Sequence, residues 1–490
     1  FVGAGENAEV SAALPKTLKA LGHRVTLVMP WSKAFEQSSL LLARRLTPLS
    51  VRGPEFGFDV TVFDGRLASQ VDLVVLDVPE ARFEPAADAR AVKSEDASVC
   101  LVSSKEQGVA ALRFGHAVAE FVKQRIASGV AVDAVHVHGW QSAMVSACLA
   151  AEGVRLATVL TVYPADSTAE FPADLRARPE AAFLNKLHGA SGSGAPVDAL
   201  AEGLSTADAV TTLSPSHAGA VAEKSAACPP LVSGQSHVPA PTRVWGILSG
   251  LDYAVWNPAT DSHLVARFDA EDPSNKTRCK AALLRELGLE ATELGPLFVI
   301  VGSLDEPFGS SGLVAVVTRM LRTSDAQVVI VGDGAPEAPE AAETLRAVAE
   351  AHPTRVAFRR NASEVLVHRL MSAADFALYA ARADASPGFP LRAQRYGALP
   401  LVRTLGALAD VVVDCDARLE TGTGFMFDEL DAEHVYAAIQ RAISAYRSEA
   451  WAALRRRVMR LDRSWERASR HYEHAYRAAV ARATERSSIA

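Results

Sequence analysis

The chain has 490 residues, is 49% hydrophobic and 22% charged, and carries a formal net charge of −7; this fits a globular protein of two or three domains and excludes disordered, collagenous and coiled-coil classes. The acidic balance argues against a basic face that grips nucleic acid, and no apolar run reaches the length of a membrane span. Five scattered cysteines, Cys100, Cys148, Cys228, Cys279 and Cys415, form no CxxC pair, which points to a reducing intracellular compartment and away from a zinc or dithiol site.

In chain order, Phe1-Val2-Gly3-Ala4-Gly5 leads into a helical stretch through Leu14-Pro15-Lys16 to Leu21, and Gly22 stands where a helix C-cap belongs. The mostly apolar run 25–29, closed by Pro30, reads as a buried strand, which completes a β-α-β unit. Runs 73–76, 134–137 and 157–162 are further strands, with a helical stretch over 141–151. Such alternation predicts a parallel sheet covered on both faces. A second series places strands at 297–301, 327–331, 356–358, 376–379 and 399–402, separated by helical stretches such as 340–351 and 364–373. Two series imply an α/β fold with two doubly wound domains. Residues 225–242, rich in Pro, Ser and Gly, read as a loop leading toward an interdomain connection. The boundary is set near residue 255, giving domains 1–254 and 255–463. The tail 464–490, with Trp465, Tyr472 and Tyr476 among charges and alanines, reads as an amphipathic helix lying on the body.

Two such domains leave a cleft where strand carboxyl ends meet helix N-termini, the usual place for nucleotides and phosphates. Gly3-x-Gly5-x-x-Ala8 fits a loose dinucleotide fingerprint, a weak signal when it stands alone. His136 and His138, two apart on a strand, share a sheet face; they read as a ligand pair lacking a nearby third ligand, or as structural histidines. Ser214 and His217 lack the nucleophile elbow of a hydrolase.

One segment is more specific. Gly246-Ile247-Leu248-Ser249-Gly250-Leu251-Asp252, followed by Trp256-Asn257-Pro258-Ala259-Thr260-Asp261, resembles the GI-x-NG-x-D … W-x-P-x-T-D segment of bacterial glycogen synthases and plant starch synthases, retaining glucosyltransferases of the GT-B type. Val135-His136-Val137-His138-Gly139-Trp140 looks like that family's HxHDW strand end, and residues 207–215 are similar to its ADxVTTVSP segment. Arg395-Tyr396-Gly397-Ala398-Leu399-Pro400-Leu401-Val402-Arg403 resembles its RYGTxPxVR strand. The resemblance spans nearly the whole chain. It implies a GT-B fold of two Rossmann-like domains around an interdomain cleft, with the acceptor side in 1–254, the nucleotide-sugar side in 255–463 and a C-terminal helix packing back. It also implies a plastid or the cytoplasm as the compartment.

The resemblance is weakest where chemistry is done. A departing nucleoside diphosphate gathers charge, which cationic side chains neutralise in a dry cleft. The family's lysine loop K-x-GG-L is represented here by the stretch around Gly5, which holds Glu6 and Glu9 and no lysine. Its SRL-x-x-QKG segment is represented by Gly302-Ser303-Leu304-Asp305-Glu306, with two acids and no cation. A unit charge about 4 Å from a phosphate is worth about 4 kcal/mol at an effective dielectric of about 20, so these exchanges predict much weaker donor binding. By the same resemblance, Tyr163 stands for a donor-contacting histidine, Gly139 for the aspartate of HDW, Ser249 for an asparagine ahead of Asp252, and Ala362 for an aromatic residue. Asp384, ahead of Gly388, is the remnant of the EPCGL glutamate, and Leu405-Gly406-Ala407 replaces a phosphate-binding TGG. His138 and Trp140 are candidate glucan contacts, although Trp140, Trp256 and Trp465 also read as core.

The resemblance with these departures implies a glucosyltransferase-fold protein that has lost catalysis and acts as a glucan-binding, regulatory or structural subunit. Its partners would be a glucan, an active synthase or a larger assembly, with no cofactor, metal or nucleic acid. The alternative is an active retaining α-1,4-glucosyltransferase using ADP-glucose or UDP-glucose, with Arg382, Arg392 and Arg403 as replacement cations.

Overall fold

The computed structural model describes residues 6–36, 38–79, 105–163, 170–184, 197–227, 244–291, 295–303, 309–333, 339–360, 362–379 and 387–489. The chain divides into two compact units, Phe1–Leu248 with Ala468–Ala490, and Ser249–Arg467.

In the first unit, helix α1 (Glu6–Ala20) ends at Gly22, whose φ of 97° stops the helix, and β1 (Thr26–Pro30) follows. The next elements correct the expected all-parallel sheet. Strands β2 (Leu42–Arg44), β3 (Leu49–Arg52) and β4 (Gly57–Arg66) come before β5 (Asp72–Asp77). Strand β1 pairs parallel with β5, whereas β4 runs antiparallel to β2, β3 and β5. Alternation is the cause: Leu49 and Val51 are buried while Ser50 and Arg52 are exposed, the period of a sheet with one wet face.

Helix α2 (Lys105–Ala127) packs on α3 (Gly139–Ala151), which starts directly from β6 (Ala134–His138). Strand β7 (Ala157–Val162), the short antiparallel pair β8 (Glu170–Phe171) and β9 (Val197–Asp198), α4 (Ala199–Thr206), β10 (Ala209–Thr212), α5 (Pro215–Ala227) and β11 (Val244–Gly246) complete the run. These strands form a parallel sheet in the order β11-β10-β7-β6. The expected loop over 225–242 is helical up to Ala227, and 228–243 lie outside the described residues.

The second unit opens with α6 (Asn275–Glu286) and alternates regularly through β12 (Leu297–Ser303), α7 (Gly309–Thr323), β13 (Gln327–Asp333), α8 (Pro339–Ala351), β14 (Val356–Arg359), α9 (Glu364–Ala373) and β15 (Phe376–Tyr379). It continues with α10 (Gly388–Arg395), β16 (Leu399–Arg403), α11 (Gly406–Val411), β17 (Phe425–Phe427), α12 (Ala432–Tyr446) and α13 (Trp451–Met459). All six strands are parallel, in the order β14-β13-β12-β15-β16-β17. The order reverses between β12 and β15, the switch point beside whose carboxyl ends open α/β sheets take ligands. Stacked Phe298 and Phe376, with ring centroids 4.8 Å apart, fill the core there.

Two distant segments of the second unit pair with each other. Leu251 N donates to Arg463 O at 2.6 Å, and Trp465 N donates to Leu251 O at 3.3 Å. A side chain at Gly250 would stand 2.5 Å from Trp465 N, so the approach needs glycine. The last helix, α14 (Trp465–Ile489), belongs to the first unit from Ala468 onward. It buries Tyr472, Ala475, Ala479 and Ala483 on one stripe and ties Arg486 to Asp208 at 2.9 Å.

Candidate functional site

In the first unit the site positions collect at the carboxyl ends of β6 and β7. His138 ends β6, and Gly139 begins α3 at a φ of 69°. That left-handed turn favours glycine. The His138 imidazole lies at Nδ1 3.0 Å from the Tyr163 hydroxyl. Behind it, His136 has both ring nitrogens occupied, Nδ1 by Tyr476 Oη at 2.8 Å and Nε2 by Thr161 Oγ1 at 2.7 Å. The two rings are 4.1 Å apart. Burial pushes His138 down to about 4, and burial followed by the neighbouring His138 pushes His136 well below its ordinary value, so both are neutral at pH 7. Trp140 is 5% exposed and packs on Phe171 as a core residue, so an open sugar-stacking face is not what the fold makes of it.

In the second unit, Ser249 Oγ is buried with no hydrogen-bond partner among the described residues, and Asp252 Oδ1 accepts from Ala254 N at 3.0 Å to close a local turn. Ala362 precedes Ser363, whose hydroxyl accepts from Leu366 N and caps α9. Gly388 and Gly406 are the first residues of α10 and α11. Gly5, Leu304 and Asp384 lie outside the described residues, as does Arg382. Both other candidate cations are engaged: the Arg392 guanidinium lies 4.5 Å from the Trp256 ring centre, and Arg403 Nε donates to Asp428 O at 3.0 Å.

The motifs that carry the resemblance meet in a buried hub. Asp261 Oδ2 accepts from the Tyr396 hydroxyl at 2.6 Å and from His368 Nδ1 at 2.7 Å. Trp256 stacks on His368 with centroids 3.9 Å apart and an interplanar angle of 4°. Burial, helped by the Asp261 carboxylate, pushes the Tyr396 phenol far up, so it stays a donor. Asp261 and Tyr396 lie in two separate family-marking segments of the sequence, and the spacing of neither segment carries the information that they touch. Among the described residues no group of three His, Cys, Asp or Glu side chains is placed to hold a metal, and no helix is long and apolar enough to cross a membrane.

Comparison with known proteins gives the following likenesses. A family model described as starch synthase catalytic domain matches residues 1–231, and one described as glycosyl transferases group 1 matches 295–445. The glycogen synthase of Anaeromyxobacter sp. (strain Fw109-5) is 32% identical over 96% of this chain and 96% of its own length. That of Thioalkalivibrio sulfidiphilus is 31% identical over 97% of each. The catalytic domain of starch synthase IV from Arabidopsis thaliana, solved with ADP and acarbose, has a TM-score of 0.76 at 23% identity, covering 98% of this chain and 97% of that one. The fold is therefore GT-B with two Rossmann-like domains, and the chain belongs to the glycogen and starch synthase family.

Proposed function

We propose that this chain keeps the glucosyltransferase scaffold without nucleotide-sugar turnover and serves as a glucan-binding, regulatory or structural subunit. What supports the reading is that the segments resembling the family's phosphate-facing loops, around Gly5 and Leu304, carry acids in place of cations. The family's lysine and arginine positions hold no cation, Asp305 and Glu306 stand nearby, and Arg392 and Arg403 are already held by Trp256 and Asp428. Repulsion in place of attraction disfavours both the bound donor and the charged leaving group.

A second reading, an active glucosyltransferase with a modified site, is favoured by the likeness to glycogen synthases along nearly the whole chain and by the retained acid Asp384. One set of experiments separates them. Purified chain is incubated with labelled ADP-glucose or UDP-glucose and short glucans, and its melting is followed with ADP and with acarbose. The proposal expects no incorporation, no shift with ADP and a shift with acarbose, because only a ligand that binds the native state raises apparent stability. Incorporation that Asp384→Ala abolishes would establish the active reading.

A further inference from the structure

The buried stripe of α6 consists of Lys276, Cys279, Lys280, Leu283 and Leu284, so two lysines occupy positions where apolar residues are expected. Lys280 has an evident mate: its Nζ lies 2.7 Å from Asp375 Oδ2 and 2.7 Å from Gly295 O. Lys276 has none. It is 2% exposed, and its Nζ donates to three backbone carbonyls, Tyr396 O at 2.8 Å, Ser372 O at 3.0 Å and Met371 O at 3.2 Å.

These carbonyls share one property. Met371 and Ser372 lie in the last turn of α9, and Tyr396 caps the carboxyl end of α10. Helix carboxyl ends present carbonyls without intrahelical partners and the negative pole of the helix dipole. An ammonium has three N–H groups, which three carbonyls saturate; a neutral amine has two and must leave one carbonyl unserved. Both helices follow strands of the parallel sheet, so their first turns, beside Ala362 and at Gly388, lie at its carboxyl edge while Lys276 grips their far ends.

We propose that Lys276 is a proton-controlled latch: as an ammonium it clasps the carboxyl ends of α9 and α10 to each other, and as a neutral amine it releases one carbonyl and loosens the pair. The latch is independent of whether the chain turns over a nucleotide sugar. Its surroundings poise it for this. Burial pushes the amine down to about 7; Asp375 pulls it back up, while Arg455 on α13 and Lys280 on the same helix push it further down, and the neighbouring Cys279 thiol donates to Ala266 O. The Phe268 ring, 5.6 Å from Nζ, covers another side.

The test uses the whole chain and no nucleotide. Lysine side-chain resonances are followed by NMR from pH 5.5 to 9.5, and Lys276 is assigned by the signal that Lys276→Arg removes. Amide exchange at 373–375 and 396–398 is measured over the same range and corrected for intrinsic rates. The latch predicts one lysine with a midpoint near 7, a several-fold loss of protection in both segments across that midpoint, and no such loss in Lys276→Arg, which stays cationic. An amine still charged beyond pH 9, or protection that does not change across its midpoint, would overturn the proposal. Should the arginine variant fail to fold, the wild-type lysine signals and exchange rates decide alone, because a lysine titrating near neutrality is distinguishable from exposed ones.

Discussion

Asp261 shows how much one buried side chain does here. Its Oδ2 takes two donors from elements far along the chain, His368 and Tyr396, separated from it by 107 and 135 positions. Removing one donor is tolerable because the other still satisfies the oxygen. Tyr396→Phe is therefore expected to lower the stability of the second unit by about 1 kcal/mol, whereas Asp261→Ala leaves two buried donors unpaired and should lower it by about 3 kcal/mol or more. Small losses of similar size in urea titrations of the two variants would instead mean that the hub is held by apolar packing and not by these hydrogen bonds. The motif residues were legible in the sequence as family marks. Their meeting was not, because hydrogen-bond partners this far apart leave no trace in local spacing.

Helices and strands were the most readable level, and their ends explain why. Helix α9 and strand β15 fall where the apolar periodicity puts them, since buried stripes of period 3.6 and short apolar runs reflect burial directly. Caps add local signals: Asp198 Oδ1 accepts from Leu200 N and Ala201 N at the start of α4, and Asp431 Oδ1 accepts from Glu433 N and His434 N at the start of α12. Replacing either aspartate by alanine should cost about 1 kcal/mol, measured by thermal or urea unfolding of the variant. The hairpin strands β2 to β4 leave no solid apolar run in the sequence, because polar residues alternate with apolar ones along them. Arginine staples were equally hidden: Arg457 donates to the carbonyls of Leu419, Glu420, Thr421 and Gly422, fastening a turn to α13. In sequence it is one of many arginines in a basic stretch.

At the scale of the whole molecule, the histidine pair of the first unit sets a direction for its pH response. His138 is held down to about 4 and His136 well below its ordinary 6.5, while the unfolded chain binds both protons near 6.5. Unfolding therefore takes up protons between those values. The stabilisation is complete above about pH 6.5 and is lost as the pH falls toward about 4, with a slope of up to about 1.4 kcal/mol per pH unit for each histidine. Denaturant titrations of the wild type between pH 7 and 4.5 should show this loss, and a His136→Gln, His138→Gln double variant should show a flatter dependence. An identical slope in the two proteins would mean that the acid response comes from carboxylates elsewhere. Because Tyr476 on α14 holds His136, the same measurement also reports on how the last helix is seated on the first unit.

The sequence by itself determined the family and the α/β alternation, because both are written in residues close together: motif spacing and hydrophobic period. Only the tertiary structure decided that Trp140 is core, that Arg392 lies over Trp256 rather than standing free, and that Lys276 joins two helix ends from 120 positions before Tyr396. The physical reason is that burial and pairing are properties of neighbours in space. Two lysines one turn apart on α6 look alike in sequence, yet one faces a carboxylate and the other faces three carbonyls, and that difference decides what protonation does to each.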